Sequence, residues 1–404
     1  MSRWREVKFG EVVELSQGLA INMQSKHLQT NDETQLPLLR IADMKEGTKS
    51  RYISKEVNEK FVAKPEDIIY TRTGQVGLVF KGQNGVIHNN CFKVMPCEKT
   101  VNRDFLYWIL KSNYMYSYVN ILASGAAQPD LTHSKFKNIK IQIPDLETQK
   151  KIADILSTYD ELIENNNRRI EILEKTAEEI YKEWFVRMRF PGHENTRFEK
   201  GIPEGWEEVK LEDICNLVRG ISYSTKEVEK DLGIAMLTLK SVNAYGGYNY
   251  DGLRFYDGKI SDRHYIKKND LIMAITDMTQ DRRVIGQVCL VPRLHYEELV
   301  FSADLILLDD LKIEKSYMYS LLRYGGISRY ISTFSNGANV LHLNQRTLNN
   351  IRFYIAPEKL RIDYDKIHVD IQDKINNLQL QNQNLAKQRD LLLPRLMNGT
   401  IEVK

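Results

Sequence analysis

The stretch "GAAQPDLTHSKFKNIKIQIPD" (125–145) returns without a gap as "GANVLHLNQRTLNNIRFYIAP" (337–357), 212 residues later. Gly125/Gly337, Ala126/Ala338, Leu131/Leu343, Asn138/Asn350, Ile139/Ile351 and Ile143/Ile355 are identical pairs. No other feature constrains the fold as strongly, because an internal repeat dictates one architecture used twice. Further anchors extend it. "WREVKFGEVVELSQG" (4–18) matches "WEEVKLEDICNLVRG" (206–220) at an offset of 202. "LPLLRIADM" (36–44) resembles "IAMLTLKSV" (234–242), and "KPEDIIYTRTG" (64–74) resembles "KKNDLIMAITD" (267–277). The drifting offset is what loop insertions on a shared framework produce. With 404 residues the chain also exceeds a single core.

Each copy runs into a heptad pattern. The apolar seam Tyr159, Ile163, Asn166, Ile170, Leu173, Ala177, Ile180, Trp184 alternates steps of four and three, the spacing of a coiled coil. Its counterpart 212 residues on is Ile371, Ile375, Leu378, Asn382, Leu385, Arg389, Leu392, Leu396. Two matching seams predict two long helices packed antiparallel. Pairing without stagger would set Tyr159 against Leu396, Asn166 against Arg389 and Leu173 against Asn382.

Before each helix, short apolar runs ("DIIYTRT", "VGLVF", "IKIQI", "DLIMAIT", "GQVCLV", "LVFSADLILL") read as strands between Gly, Asn and Asp. Residues 102–122 and 314–332 read as helices. The expected class is α+β: two globular domains in a tandem pseudo-twofold repeat, separated by two long antiparallel coiled-coil helices. The predicted boundaries are a first domain over 1–146, a helix over 147–185, a linker over 186–205, a second domain over 206–357, and a second helix with its tail over 358–404.

The net charge is +3. Residues 1–146 carry 20 Lys and Arg against 15 Asp and Glu, residues 147–185 carry 6 against 10, and residues 206–357 carry 19 of each. A protein gripping DNA alone has a plainer basic excess, so a partner is expected to supply part of the charge. Cys91, Cys97, Cys215 and Cys289 form no C-x-x-C pair and read as reduced thiols of a cytoplasmic protein. No apolar run reaches the roughly 18 residues of a membrane span, and "MSRWREVKFGEVVEL" lacks a signal-peptide core. A phosphate loop, an Asn-Pro-Pro-aromatic tetrapeptide and a nuclease acidic-x-Lys element are all missing, and the eight histidines lack ligand spacing. Catalytic and metal-binding residues are therefore not expected in this chain.

The domain-opening Trp-x-x-Val-x-Leu/Phe, the "RTG" after "DII", the "GAAQPDL" leading to "IQIP" and then "ETQKKIADIL", the heptads and the repeat together resemble the specificity subunits of Type I restriction–modification enzymes. The resemblance covers essentially the whole chain, although "LHL", "ITD" and "KLRIDYDKIHVDI" replace "PDL", "RTG" and "ETQKKIADIL" in the second copy. It implies two target recognition domains, each reading one half of a split, asymmetric site on double-stranded DNA. It also implies helices that space the domains and dock two methyltransferase subunits, with motor-nuclease subunits joining for cleavage. S-adenosylmethionine, ATP and Mg would be bound in those partners and no cofactor in this chain.

Residues that can reach base edges or phosphates are expected on the variable loops. In the first domain these are Arg72, Thr73 and Gln75, with Arg40, Lys45, Lys49 and Arg51, and Gln128 as either a contact or a loop anchor. In the second they are Thr279, Gln280, Arg282 and Arg283 of "TDMTQDRR", and Tyr248, Tyr250 and Arg254 of "YGGYNYDGLRFYDG". Two rival readings are a self-contained DNA methyltransferase or nuclease with an unrecognised active site, and a coiled-coil adaptor without a DNA role.

Overall fold

The computed structural model describes residues 4–124, 129–228 and 232–403. It divides into two compact units, Met1–Asn165 with Gln381–Lys404, and Asn166–Leu380. Each long helix therefore gives one part of its length to either unit.

The inner four-stranded sheet is built twice. In the first unit the strand order is Val13–Gln17, Cys91–Pro96, Ile68–Thr71, Val79–Phe80. In the second it is Asn216–Arg219, Leu305–Asp309, Leu271–Ala274, Val288–Leu290. An outer sheet follows each. Leu36–Leu39 runs parallel to Gly85–Ile87 in the first unit, as Ile234–Leu237 runs parallel to Leu299–Phe301 in the second. Each unit closes with a two-stranded ribbon that joins its ends. Arg5 pairs with Ile143, and Glu207 pairs with Ile355, so ribbon register reproduces both sequence offsets. Gly18 and Gly220 explain one matched residue. A Cβ there would lie 2.3 Å from the carbonyl oxygen of His88 or of Ser302, so only glycine lets the strands cross.

Local chemistry sets the element ends. The apolar stretch over 102–122 forms two helices rather than one, Arg103–Lys111 and Asn113–Ala123. Asn102 accepts from the Phe105 amide and Ser112 from the Met115 amide, each satisfying an otherwise orphaned N–H. "LVFSADLILL" likewise splits. Leu299–Phe301 joins the outer sheet and Leu305–Asp309 the inner one, because Ala303 turns to bond the Ile221 carbonyl and Asp304 accepts from Thr276.

The long helices span Leu146–Tyr181, extended by a wider turn over Lys182–Val186, and Glu358–Met397. In the first unit Ile152 and Leu156 share the core with Leu393 and Leu396, and Arg389 pairs with Asp160. In the second unit Phe185 packs on Tyr364, and Ala177 on Ile371 and Ile375. Later residues of one helix meet earlier residues of the other, so the pairing is antiparallel. All sixteen seam residues are buried or half-buried. The expected stagger is corrected: Arg389 meets Asp160, not Asn166, since its guanidinium takes the carboxylate within reach and stacks toward Trp108.

The two cores differ at one matched place. Tyr181, Phe185, Tyr317, Tyr364 and Trp206 form an aromatic cluster in the second unit, with neighbouring ring centroids 5.1–6.5 Å apart. In the first unit Leu393 and Met397 stand at the repeat positions of Tyr181 and Phe185, and a groove of about 760 Å³ stays open beside Trp4 and Trp108. Burial pushes the thiols of Cys91, Cys215 and Cys289 up to about 12, which leaves them unreactive.

Candidate nucleic-acid interface

In each unit the inner sheet ends in a turn that meets the segment just before the closing ribbon. The first unit joins Thr73 to Asp130 by a β-bridge there, and the second joins Thr276 to His342. The first rim holds Arg72, Thr73 and Gln75, and the second holds Thr279, Gln280, Arg282 and Arg283.

On the first rim the Arg72 guanidinium donates to both carboxylate oxygens of Asp130, at 2.8 Å each, and to Gln17 Oε1 at 3.1 Å. The Thr73 hydroxyl donates to the same carboxylate at 2.7 Å. Burial opposes the charge on Asp130, but the Thr73 and Arg72 hydrogen bonds outweigh it and hold the carboxyl below its usual range. Arg72 is thus an ion-paired strut, and the hydroxyl of Thr73 is engaged as well. Burial, and then the positive charge of Arg72, lower the pKa of the neighbouring His133.

Beside the strut, Lys45 Nζ lies 3.3 Å from Gln75 Oε1, which ties the helix Ile41–Glu46 to the turn containing Gly74. Arg40 bonds Asp43 and Ser50, and burial together with Arg40 and Arg51 lowers the pKa of His88. Lys45, Lys49, Arg51 and Gln75 are exposed. Arg40, Arg51, Lys45, Gln75 and Arg72 therefore belong to one neighbourhood, in which Lys45, Arg51 and Gln75 are the groups open to a ligand. Gln128 lies outside the described residues.

The second rim rests on Asp277. Its carboxylate accepts from the amides of Val284, Ile285 and Thr279 and from the Thr279 hydroxyl, at 2.8–3.2 Å. Burial opposes this charge too, and the four donors win, lowering the pKa. The bonds cradle the loop 278–283 and hold its tip outward. Gln280 anchors to the Ala338 carbonyl, Arg283 pairs with Asp281, and Arg282 holds a positive φ of 54°. Thr279, Gln280, Arg282, Arg283 and Arg254 are exposed.

Tyr248 and Tyr250 turn the other way. Their rings meet edge-to-face at 4.9 Å, the Tyr248 hydroxyl is buried, and Tyr250 donates to Gln379 on the second long helix. Burial raises both phenols well above their usual range. The exposed aromatic of that segment is Tyr245, 70% accessible, whose amide bonds the Arg283 carbonyl. Met278, 76% accessible, begins the same loop. Neither Tyr245 nor Met278 is among the residues expected from sequence, although the "YGG" turn and the Met-Thr-Gln run contain them.

Within the described residues no helix is long and apolar enough to cross a membrane. The family model for the Type I restriction modification DNA specificity domain matches residues 1–175 and again 203–388. A Type I restriction enzyme MjaIX specificity subunit from Methanocaldococcus jannaschii is 28% identical over 352 residues, covering 83% of this chain and 78% of that one. The MjaVIII specificity subunit of the same organism is 23% identical, covering 99% and 93%. The fold is similar to the crystal structure of a Type-I restriction-modification system S subunit from M. genitalium, with a TM-score of 0.60 at 17% identity, covering 98% of this chain and 96% of that one.

Proposed function

The chain belongs to the Type I restriction modification DNA specificity family, and from that premise we propose how its two halves divide the work. It is a DNA sequence-specificity subunit that acts in complexes with methyltransferase and restriction subunits. Each domain reads one half of a bipartite, asymmetric site. In the first domain Lys45, Arg51 and Gln75, with Lys49 nearby, face the duplex, while Arg40 and Arg72 with Thr73 hold the turns that present them. In the second, the loop of Thr279, Gln280, Arg282 and Arg283, with Arg254, faces it. Tyr248 and Tyr250 support that surface from within.

The paired helices space the domains and dock two methyltransferase subunits. Those partners bring S-adenosylmethionine to the target adenine, and motor-nuclease subunits use ATP and Mg. This chain contributes no catalytic group. A self-contained enzyme and an adaptor without DNA contact find no support among the relatives.

One observation carries the reading: inner sheets of matching strand order present differently charged side chains at matched rims. Exchanging residues 1–146 for a relative's first domain, in cells that also make the methyltransferase, tests it by mapping methylated adenines. One half of the recognised site should change and the other persist. A change in both halves would overturn independent reading. Arg282→Ala should relax one position of the second half-site, at a cost of about 1–3 kcal/mol if it reads a base.

A further inference from the structure

We propose that the corner formed by Arg219 and His342 in the second domain is a DNA phosphate site, whose counterpart in the first domain is already neutralised from within. The inference rests on the DNA-reading function proposed above.

Gln17 and Arg219 end the same strand in the two repeats. Each reaches the same turn: Gln17 Nε2 donates to the Asn89 carbonyl at 2.6 Å, and Arg219 Nε to the Ala303 carbonyl at 3.1 Å. Thr73 is bridged to Asp130 as Thr276 is to His342, so Ile275 stands where Arg72 does. The first domain therefore places a guanidinium between a carboxylate and an amide. In the second the guanidinium comes from the end of the strand Asn216–Arg219, and the carboxylate is replaced by an imidazole. Ile275, 5% exposed, supplies an apolar floor.

The result is a recess of about 510 Å³ lined by Arg219, Asn336, His342, Asn344 and Gln345 over Ile275 and Leu343, with no carboxylate among the described residues that line it. Arg219 is anchored through Nε, which leaves its two terminal nitrogens as an oriented fork that suits a phosphate's paired oxygens. The recess favours a phosphate over a base. Phosphates protrude from the duplex, whereas base edges lie within a groove about 8.5 Å deep and need a projecting side chain. Its position is also useful. Asp277 pairs with Leu341 and Gln280 bonds Ala338, so the recess shares its wall with the reading loop. A phosphate held there sets that loop's register on the duplex without reading sequence.

The test uses the chain assembled with its methyltransferase, a duplex carrying the recognised site and a duplex with the second half-site scrambled, titrated at several salt concentrations. Arg219→Gln, which installs the first domain's residue, should weaken both duplexes by about tenfold or less and to equal extents. It should also lower the slope of log K against log salt by about one. His342→Asp should act in the same direction by setting a carboxylate against Arg219. Unchanged affinity and slope in both variants would overturn the site, as would a loss confined to one base pair. A wild-type complex that failed to distinguish the two duplexes would instead overturn the reading function itself.

Discussion

At the first rim an arginine is held by an aspartate 58 residues away, and at the second an isoleucine and a histidine occupy the same two places. The cores diverge in the opposite sense. The second unit fills the space under its ribbon with Tyr181 and Phe185, and the first leaves a groove over Leu393 and Met397. What both share is backbone: strand order, ribbon register and the two glycine crossings. Main-chain ladders are indifferent to side chains, so a duplicated framework tolerates different rims and different cores as long as its hydrogen bonds close. That freedom is what a two-headed reader requires.

The largest expected effect is the response of the second unit to acid. His368 is 2% exposed in the second unit, among Tyr319, Tyr364 and Arg323, and burial, with Arg323 adding, pushes its imidazole down to about 4. An unfolded histidine titrates near 6.5. Above that pH both states are neutral and nothing changes. Below it the unfolded state binds the proton first, so stability drains away between about pH 6.5 and 4, by up to about 3 kcal/mol. His368→Phe should lose less stability than wild type when denaturant unfolding at about pH 4.5 is compared with pH 7. Equal losses in the two proteins would clear His368 of any role.

Tyr181→Leu, which gives the second unit its counterpart's residue, should open a matching void and cost about 2 kcal/mol. The melting temperature should fall by several degrees. A neutral result would mean that the aromatic cluster relaxes to fill the gap.

The smallest effect belongs to the strut. Asp130→Asn leaves the shape but removes the charge facing Arg72. The pair is 23% and 35% exposed, so its removal should cost about 1 kcal/mol. The freed guanidinium should steepen the salt dependence of DNA binding by about one unit of slope, bringing the first rim closer to the second. A flatter slope would contradict the neutral-strut account.

The repeat was legible because its anchors are framework residues: Trp4 and Trp206, Gly18 and Gly220, Ile143 and Ile355. The seams were legible because the heptad spacing is local. The rims were less so. Arg72 looked like a free reader since its partner Asp130 is distant in sequence and the two are brought together only by the Thr73 bridge. Tyr248 and Tyr250 looked like surface aromatics because nothing nearby in sequence announces Gln379 as a partner. Helix stagger is marked by the pair Asp160 with Arg389, and Asp160 lies one residue outside the apolar seam.

The first unit is discontinuous: its core takes Leu393 and Leu396, and Ile401 and Val403 pack against it, while Gly399 sits under Trp4. On the ribosome, residues 4–165 emerge early yet must wait for the final stretch of the chain before their core is complete. The second unit, continuous from 166 to 380, has all of its own residues sooner. The half translated last is thus placed to fold first, and the earlier half has to close a loop of more than two hundred residues to finish. Released chains truncated shortly after residue 380 should therefore yield a protease-resistant second half beside a digestible first one.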